Sequence, residues 1–171
     1  MRQDLELGPF LKDFGRGLEK KLSSMEITID CKDEIRINTD PKLLSSILEN
    51  LLLNAFEAQG EGALVRIRAG RDDDSGQAVI EIMDNGPGIS EELLPDLLFD
   101  PFKTTKDWGS GIGLWQAKRL VTALAGSILA GNRPEGGARF VVPLPLRSAD
   151  PAKELPYLVP RCDFVRPVAP G

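Results

Sequence analysis

The segment Asp40–Gly60 constrains this chain more than any other. Asp40-Pro41 opens a helix: the aspartate can accept from the free N–H groups of the first turn, and the proline's fixed φ suits the first helical position. The pattern runs helical to Ala58, and Gly60 ends it. Inside it Leu43, Leu44, Ile47, Leu48, Leu51, Leu52, Leu53, Ala55 and Phe56 spread apolar surface over most of the circumference, so the helix must be largely buried. Burying it takes a substantial core. With 171 residues, 42% of them hydrophobic and 27% charged, the chain supplies one as a single soluble domain with some length to spare.

The elements around that helix alternate. From Pro9 onward Phe10, Phe14, Leu18 and Leu22 recur every four residues, the stripe of an amphipathic helix, and Ile27/Ile29 and Ile35/Ile37 read as two short strands. Leu64–Ala69 and Gln77–Met83 form a hairpin across Asp72-Asp73-Asp74-Ser75-Gly76, whose acidic run reads as a solvated turn rather than a metal site. A loop-rich stretch from Asp84 to Gly111 leads into a helix over Ile112–Leu124. Ser127–Ala130 and Ala138–Val142 close the fold as a hairpin around Gly131–Gly137. Strands joined mostly by hairpins predict α+β layering, not a parallel βαβ sheet. Five of the 13 prolines fall within Ser148–Gly171, so the domain is expected over residues 1–147 and a proline-rich extended tail over 148–171.

Several chemistries drop out on composition. The chain has no histidine, which removes Ser/His and Cys/His nucleophile pairs, imidazole acid–base catalysis and most zinc sites. Cys31 and Cys162 stand too far apart in sequence for a CxxC unit and read as reduced thiols. With 21 basic against 26 acidic side chains the net charge is −5, so no overall positive field draws nucleic acid or anionic lipid. No apolar stretch approaches the roughly 20 residues that cross a bilayer, and Met1-Arg2-Gln3-Asp4 does not begin a signal peptide; the expected setting is cytoplasmic, without membrane insertion.

Four features carry chemistry. Asn50 and Asn54, at i and i+4, lie one above the other on the apolar helix, with Ser46 and Glu57 on the same stripe. A helix edge grazing solvent accommodates one asparagine; two stacked on a buried helix invite a ligand, because an unpartnered buried amide costs about 1–3 kcal/mol. In the strand Gln77–Met83, Ala78, Ile80 and Ile82 share a face that Asp84 continues, and Asn85-Gly86-Pro87-Gly88-Ile89 then turns sharply with glycines that allow close approach. Gly109-Ser110-Gly111-Ile112-Gly113-Leu114 opens onto a helix, where outward N–H groups and the helix dipole make an anion site. It is neither a dinucleotide fingerprint nor a Walker loop. Between them Leu97-Leu98-Phe99-Asp100-Pro101-Phe102-Lys103-Thr104-Thr105-Lys106 reads as a loop anchored by two phenylalanines, its lysines supplying positive charge.

In order and spacing, Asn50…Asn54, Asp84-Asn85-Gly86-Pro87-Gly88, Phe99-Asp100-Pro101-Phe102 and Gly109-Ser110-Gly111-Ile112-Gly113 resemble the N box, first glycine box, F box and second glycine box of the GHKL ATPase superfamily. Glu49–Ala58 and Pro101–Lys106 look most like the catalytic and ATP-binding domain of bacterial sensor histidine kinases, nearest the nitrogen-regulator NtrB type. The resemblance spans about Asp4–Leu146. It implies the Bergerat fold, a two-layer α/β sandwich whose mixed, mostly antiparallel sheet has helices packed on one face and a mobile ATP lid. It further implies ATP and Mg²⁺ as ligands. Asp84 would accept the adenine amino group, and Asn54 would coordinate Mg²⁺ with Asn50 lining the same site. Gly86, Gly88 and Ile89 would line the base. Gly109, Ser110, Gly111, Ile112, Gly113 and Leu114 would cradle the phosphates. Phe102, Thr105 and Lys106 would belong to the lid, with Asn50, Asn54 and Lys106 the catalytic set. The chemistry would be in-line transfer of the γ-phosphoryl group to a histidine on a dimerisation and phosphoacceptor domain absent from this chain, with a response-regulator receiver domain downstream.

The chain departs from the family pattern in places. Glu57 stands where many members carry a basic residue, and Gly136-Gly137-Ala138-Arg139-Phe140 has Ala138 where a threonine hydroxyl is usual. Two other readings compete: a nucleotide-binding module without catalysis, and a GHKL-type ATP hydrolase or serine kinase. The hydrolases place a glutamate base four positions before the second asparagine, where this chain has Asn50; Glu49 lies about 100° away around the helix.

Overall fold

The computed structural model describes residues 1–94, 97–102 and 111–146. In chain order the elements are β1 (Gln3–Glu6), α1 (Leu7–Lys21), β2 (Met25–Cys31), β3 (Arg36–Thr39), α2 (Pro41–Gln59), β4 (Ala63–Asp72), β5 (Gln77–Asp84), α3 (Gly113–Ala123), β6 (Leu129–Asn132) and β7 (Ala138–Pro145), with single 3₁₀ turns at Glu91–Leu93 and Leu97–Phe99. The main sheet runs β2-β4-β5-β7-β6; β2 and β4 are parallel and every other pair is antiparallel. This is the mixed, mostly antiparallel α+β sandwich expected. The tail expected from residue 148 lies outside the described residues.

One face of the sheet makes the core. Ile29, Ile67, Ile82, Phe140 and Ala130 form a cross-strand row through all five strands, and the helices cover that side. On the opposite face Glu81 is buried within an ion pair to Arg139 and stands 4.0 Å from Arg68.

Helix α2 begins and ends as its sequence dictates. Asp40 Oδ1 accepts from the N–H groups of Lys42 at 3.0 Å and Leu43 at 3.4 Å, Pro41 takes the first turn, and Gly60 at φ 72° returns its N–H to the Phe56 carbonyl at 2.6 Å. Leu44, Ile47, Leu48, Leu51, Leu52 and Ala55 are buried, whereas Leu53 faces outward. Asp40→Ala removes both capping bonds and should lower the unfolding free energy in urea by about 1 kcal/mol. A loss indistinguishable from zero would show that the cap contributes nothing.

Helix α1 departs from its predicted stripe. It starts at Leu7, and its deep face is Leu7, Leu11, Gly15 and Leu18; Phe10 and Phe14 stack at its flank with ring centroids 6.5 Å apart. Gly15 lies on that face close against β2, where an added methyl would sit 2.8 Å from Ile29 Cδ1. Hydrophobic counting does not register a contact made by a glycine. The strand expected at Ile35/Ile37 exists as β3, but it leaves the main sheet and pairs antiparallel with β1, whose polar Gln3-Asp4-Leu5-Glu6 shows little strand periodicity. Cys31 is a free thiol; burial and then the charge of Asp33 push its pKa up, keeping it protonated at neutral pH.

Asp72 closes the β4–β5 turn by accepting from Asp74 N–H, Ser75 N–H and Ser75 Oγ, so the acidic run serves the turn. Among the described residues no cluster of acidic or cysteine side chains could hold a metal ion. No described helix is long and apolar enough to cross a membrane.

Candidate functional site

The strand parity that carries Ala78, Ile80 and Ile82 into the core delivers Asp84 to the end of β5 with 4% of its surface exposed. A buried carboxylate must find donors, and two backbone N–H groups converge on Asp84 Oδ1, from Gly86 at 2.9 Å and Ala138 at 3.0 Å. The second donor is a backbone group, which the departure at Ala138 does not touch. The missing hydroxyl leaves the backbone N–H in place, and any residue but proline there supplies it.

The turn from Asp84 to Ile89 is tied on several sides. Asn85 Oδ1 accepts from Leu64 N–H at 2.8 Å, at the start of β4. Asn132, at the end of β6, accepts from Ile89 N–H at 2.6 Å and donates to the Ile89 carbonyl at 2.8 Å, while Arg133 Nη1 donates to the Asp84 carbonyl at 2.7 Å. Two glycines make these approaches possible. A Cβ on Gly88 (φ 84°) would stand 2.7 Å from Asn132 Oδ1, and one on Gly137 (φ 89°) would stand 1.9 Å from the Asp84 carbonyl oxygen.

Asn50 and Asn54 are both half-buried on α2. The start of α3 lies against their stripe: a Cβ on Gly113 would be 3.6 Å from Asn50 Oδ1. Ile112, the N-cap of α3, makes no side-chain capping bond among the described residues. At the other end of the stripe a Cβ on Gly86 would be 3.8 Å from Ala58 Cβ, so the glycine turn crosses the end of α2. The described parts of three predicted boxes are therefore assembled around one stripe of one helix. Glu49 faces elsewhere, with its Oε1 3.5 Å from Lys21 Nζ on α1.

The fourth box is only partly as expected. Phe99 is buried, with Lys118 Nζ 5.6 Å from its ring centroid, but Phe102 is 74% exposed at φ 63° and stands outside the core formed by the described residues. Its N–H bonds the Gly111 carbonyl at 3.1 Å, tying the two ends of the intervening segment. Ile112 is exposed and Leu114 packs on the core. Lys103, Thr105, Lys106, Gly109 and Ser110 lie outside the described residues. The sequence reading missed Asn132 and Arg133, which look like ordinary hairpin residues; their partners lie 43 and 49 positions upstream.

A buried carboxylate beside a glycine turn, two stacked asparagines and a helix start make a site for a polar planar group at one end and an anion at the other. The chain belongs to the family of histidine kinase-, DNA gyrase B- and HSP90-like ATPases, HATPase_c, which matches residues 39–148. It is 42% identical over 110 residues to the signal transduction histidine-protein kinase AtoS of Escherichia coli K12, a match covering 64% of this chain and 18% of AtoS. The catalytic domain of histidine kinase ThkA in a nucleotide-free form superposes with a TM-score of 0.74 at 26% identity, over 85% of this chain and 96% of that one. ThkA in complex with response regulator protein TrrA gives a TM-score of 0.71 at 25% identity, over 85% of this chain and 42% of that chain. The chain thus spans about a fifth of the length of curated relatives such as AtoS, AfsQ2 and DctS. These matches are to sensor kinases of several kinds and do not single out the nitrogen-regulator subgroup.

Proposed function

We propose that this chain is the ATP-binding catalytic domain of a sensor histidine kinase and transfers the γ-phosphoryl group of Mg-ATP to a histidine on a separate dimerisation and phosphoacceptor domain. The observation that carries this reading is Asp84. With both backbone donors on Oδ1, its other oxygen is the natural acceptor for an exocyclic amino group, and Gly86 and Gly88 keep side chains away from a flat base. The residues also fit the rest of the nucleotide. The N-terminus of α3, from Gly111 and Ile112 into Gly113, offers N–H donors to phosphate beside Asn50. Mg²⁺ takes hard oxygen ligands and keeps several waters, so the amide oxygen of Asn54 with phosphate oxygens is a suitable set; the ion supplies charge neutralisation and alignment of the phosphates. Ile89 and Leu114 are assigned to the walls. Phe102, Thr105, Lys106, Gly109 and Ser110 are assigned to the segment over the phosphates, with Lys106 beside the transferred group.

Positioning is then the chain's whole contribution, because it holds no acceptor histidine. The complex of ThkA with TrrA supports a response regulator as the next partner in the relay. The cytoplasm, where ATP is made and held, is the expected setting. The pairing of Glu49 with Lys21 favours the kinase over the hydrolase, since the carboxylate is engaged away from the Asn50 stripe.

The test is transfer in trans. Mixed with the two-helix phosphoacceptor domain of the same kinase and γ-labelled ATP, the chain should place acid-labile, base-stable label on the partner and none on itself. Rapid phosphate release with no partner present, abolished by Glu49→Ala, would instead make it a hydrolase. ATP binding without transfer would reduce it to a nucleotide-binding module.

A further inference from the structure

The side chain of Asn132 spends both of its hydrogen-bonding ends on one residue. Its carbonyl oxygen accepts from Ile89 N–H at 2.6 Å and its amide nitrogen donates to the Ile89 carbonyl at 2.8 Å. This is the bonding a neighbouring β-strand would supply, delivered by a side chain to a loop. The amide orientation is unambiguous, because an N–H needs the oxygen and a C=O needs the nitrogen. Asn132 and Ala138 are cross-strand partners in the β6–β7 hairpin, and Ala138 N–H is one of the two donors on Asp84 Oδ1. One rung of the hairpin therefore grips the turn at both ends, at Asp84 through the backbone and at Ile89 through a side chain.

We propose that Asn132 is a positioning residue for base recognition, and that it sets the adenine selectivity of the site by fixing the distance between Asp84 and Ile89. This rests on the reading of Asp84 as the acceptor of the adenine amino group. Asp84–Ile89 contains two glycines and, left untied, would sample many backbone states. Discrimination of an amino-bearing base from an oxo-bearing one needs the carboxylate and the opposing backbone held at a set spacing, since a loose turn can shift to suit either. Four ties oppose that loosening: Asn132 to Ile89, Arg133 to the Asp84 carbonyl, Ala138 N–H to the Asp84 carboxylate and Asn85 to Leu64. Of these four, only the Asn132 pair holds the far end, where the Ile89 side chain also packs on the core. The missing Cβ of Gly88, which would stand 2.7 Å from Asn132 Oδ1, is the matching half of the contact.

The experiment compares ADP with GDP by calorimetry for the wild-type chain, Asn132→Ala and Asn132→Ser, with melting temperatures measured alongside. Wild type should prefer ADP. Asn132→Ala should weaken ADP about tenfold, the cost of two neutral hydrogen bonds, while GDP changes less, so the ADP-to-GDP ratio shrinks. Asn132→Ser, which keeps a short polar side chain, should recover part of the ratio. In hydrogen exchange, the Ile89 amide should be protected in the wild type without nucleotide and exposed in Asn132→Ala, a measurement that needs no ligand. A lowered melting temperature with an unchanged ratio would overturn the positioning role and leave the base assignment standing. If wild-type chain shows no preference for ADP over GDP, the assignment of Asp84 fails, and the role of Asn132 fails with it. An Ile89 amide that exchanges freely in the wild type would also overturn the proposal.

Discussion

Gly137→Ala should cost the protein about 2–5 kcal/mol and remove most of its affinity for adenine nucleotides, whereas Gly136→Ala, one residue earlier, should cost only about 1–2 kcal/mol. Both glycines have positive φ, 101° at Gly136 and 89° at Gly137, so any L-residue is strained at either. The difference lies in the space. Nothing stands within 4 Å of a Cβ at Gly136, but at Gly137 the added methyl would meet the Asp84 carbonyl oxygen at 1.9 Å and its carbon at 2.7 Å. Those are backbone atoms with no rotamer to retreat into, so either β7 or the end of β5 must move. Moving either one pulls Ala138 N–H off the Asp84 carboxylate and breaks the bond from Arg133 to the carbonyl. Stability and binding should fall together. Melting temperatures and ADP titrations of the two variants provide the check: equal losses at both positions would mean that the close approach carries no energetic weight.

What could be read from the sequence, and what could not, divides by the distance between partners. Asp40, Pro41 and Gly60 bound α2 because a cap acts within a turn of its own residue. Asp84 could be placed at the helix-covered face of the sheet because strand parity is a local rule, and the register Val65↔Asp84 agrees. The stacked Asn50 and Asn54 likewise followed from helical spacing alone. The misreadings are contacts made by absent atoms or by distant partners. Gly15 lies on the inner face of α1, close against β2 for want of a Cβ, whereas the apolar stripe pointed to Phe10 and Phe14. Strand β1 is held by pairing with β3 across more than thirty residues, with little hydrophobic pattern of its own. Phe99 and Phe102 are identical in type and near neighbours in sequence, yet one is core and the other exposed, a difference that residue type alone does not signal. Asn132 and Arg133 gave no local signal because their role exists only once the hairpin has folded back on the turn.

Asp84→Asn should weaken ATP and ADP alike, by on the order of a hundredfold, with little change in fold. Asparagine has the shape of aspartate, so the turn can close as before. Its chemistry differs in one respect: one oxygen becomes an NH₂ donor. Two backbone donors converge on Asp84 Oδ1, and the amide oxygen must stay there to satisfy them. The new NH₂ then takes the place of the other carboxylate oxygen and faces the adenine amino group, donor against donor. Flipping the amide only moves the conflict, because the NH₂ would then oppose the N–H groups of Gly86 and Ala138. Every arrangement of the variant leaves a donor unpaired at a site with 4% exposure, and the bonds that remain have lost the strength a charged acceptor gives. Because the adenine is common to both nucleotides, the ratio of ATP to ADP affinity should stay constant as both fall, and calorimetry with each nucleotide at equal magnesium reads that ratio directly. Unchanged ADP affinity would place the base elsewhere. A loss confined to ATP would mean that Asp84 acts at the phosphate end of the site instead.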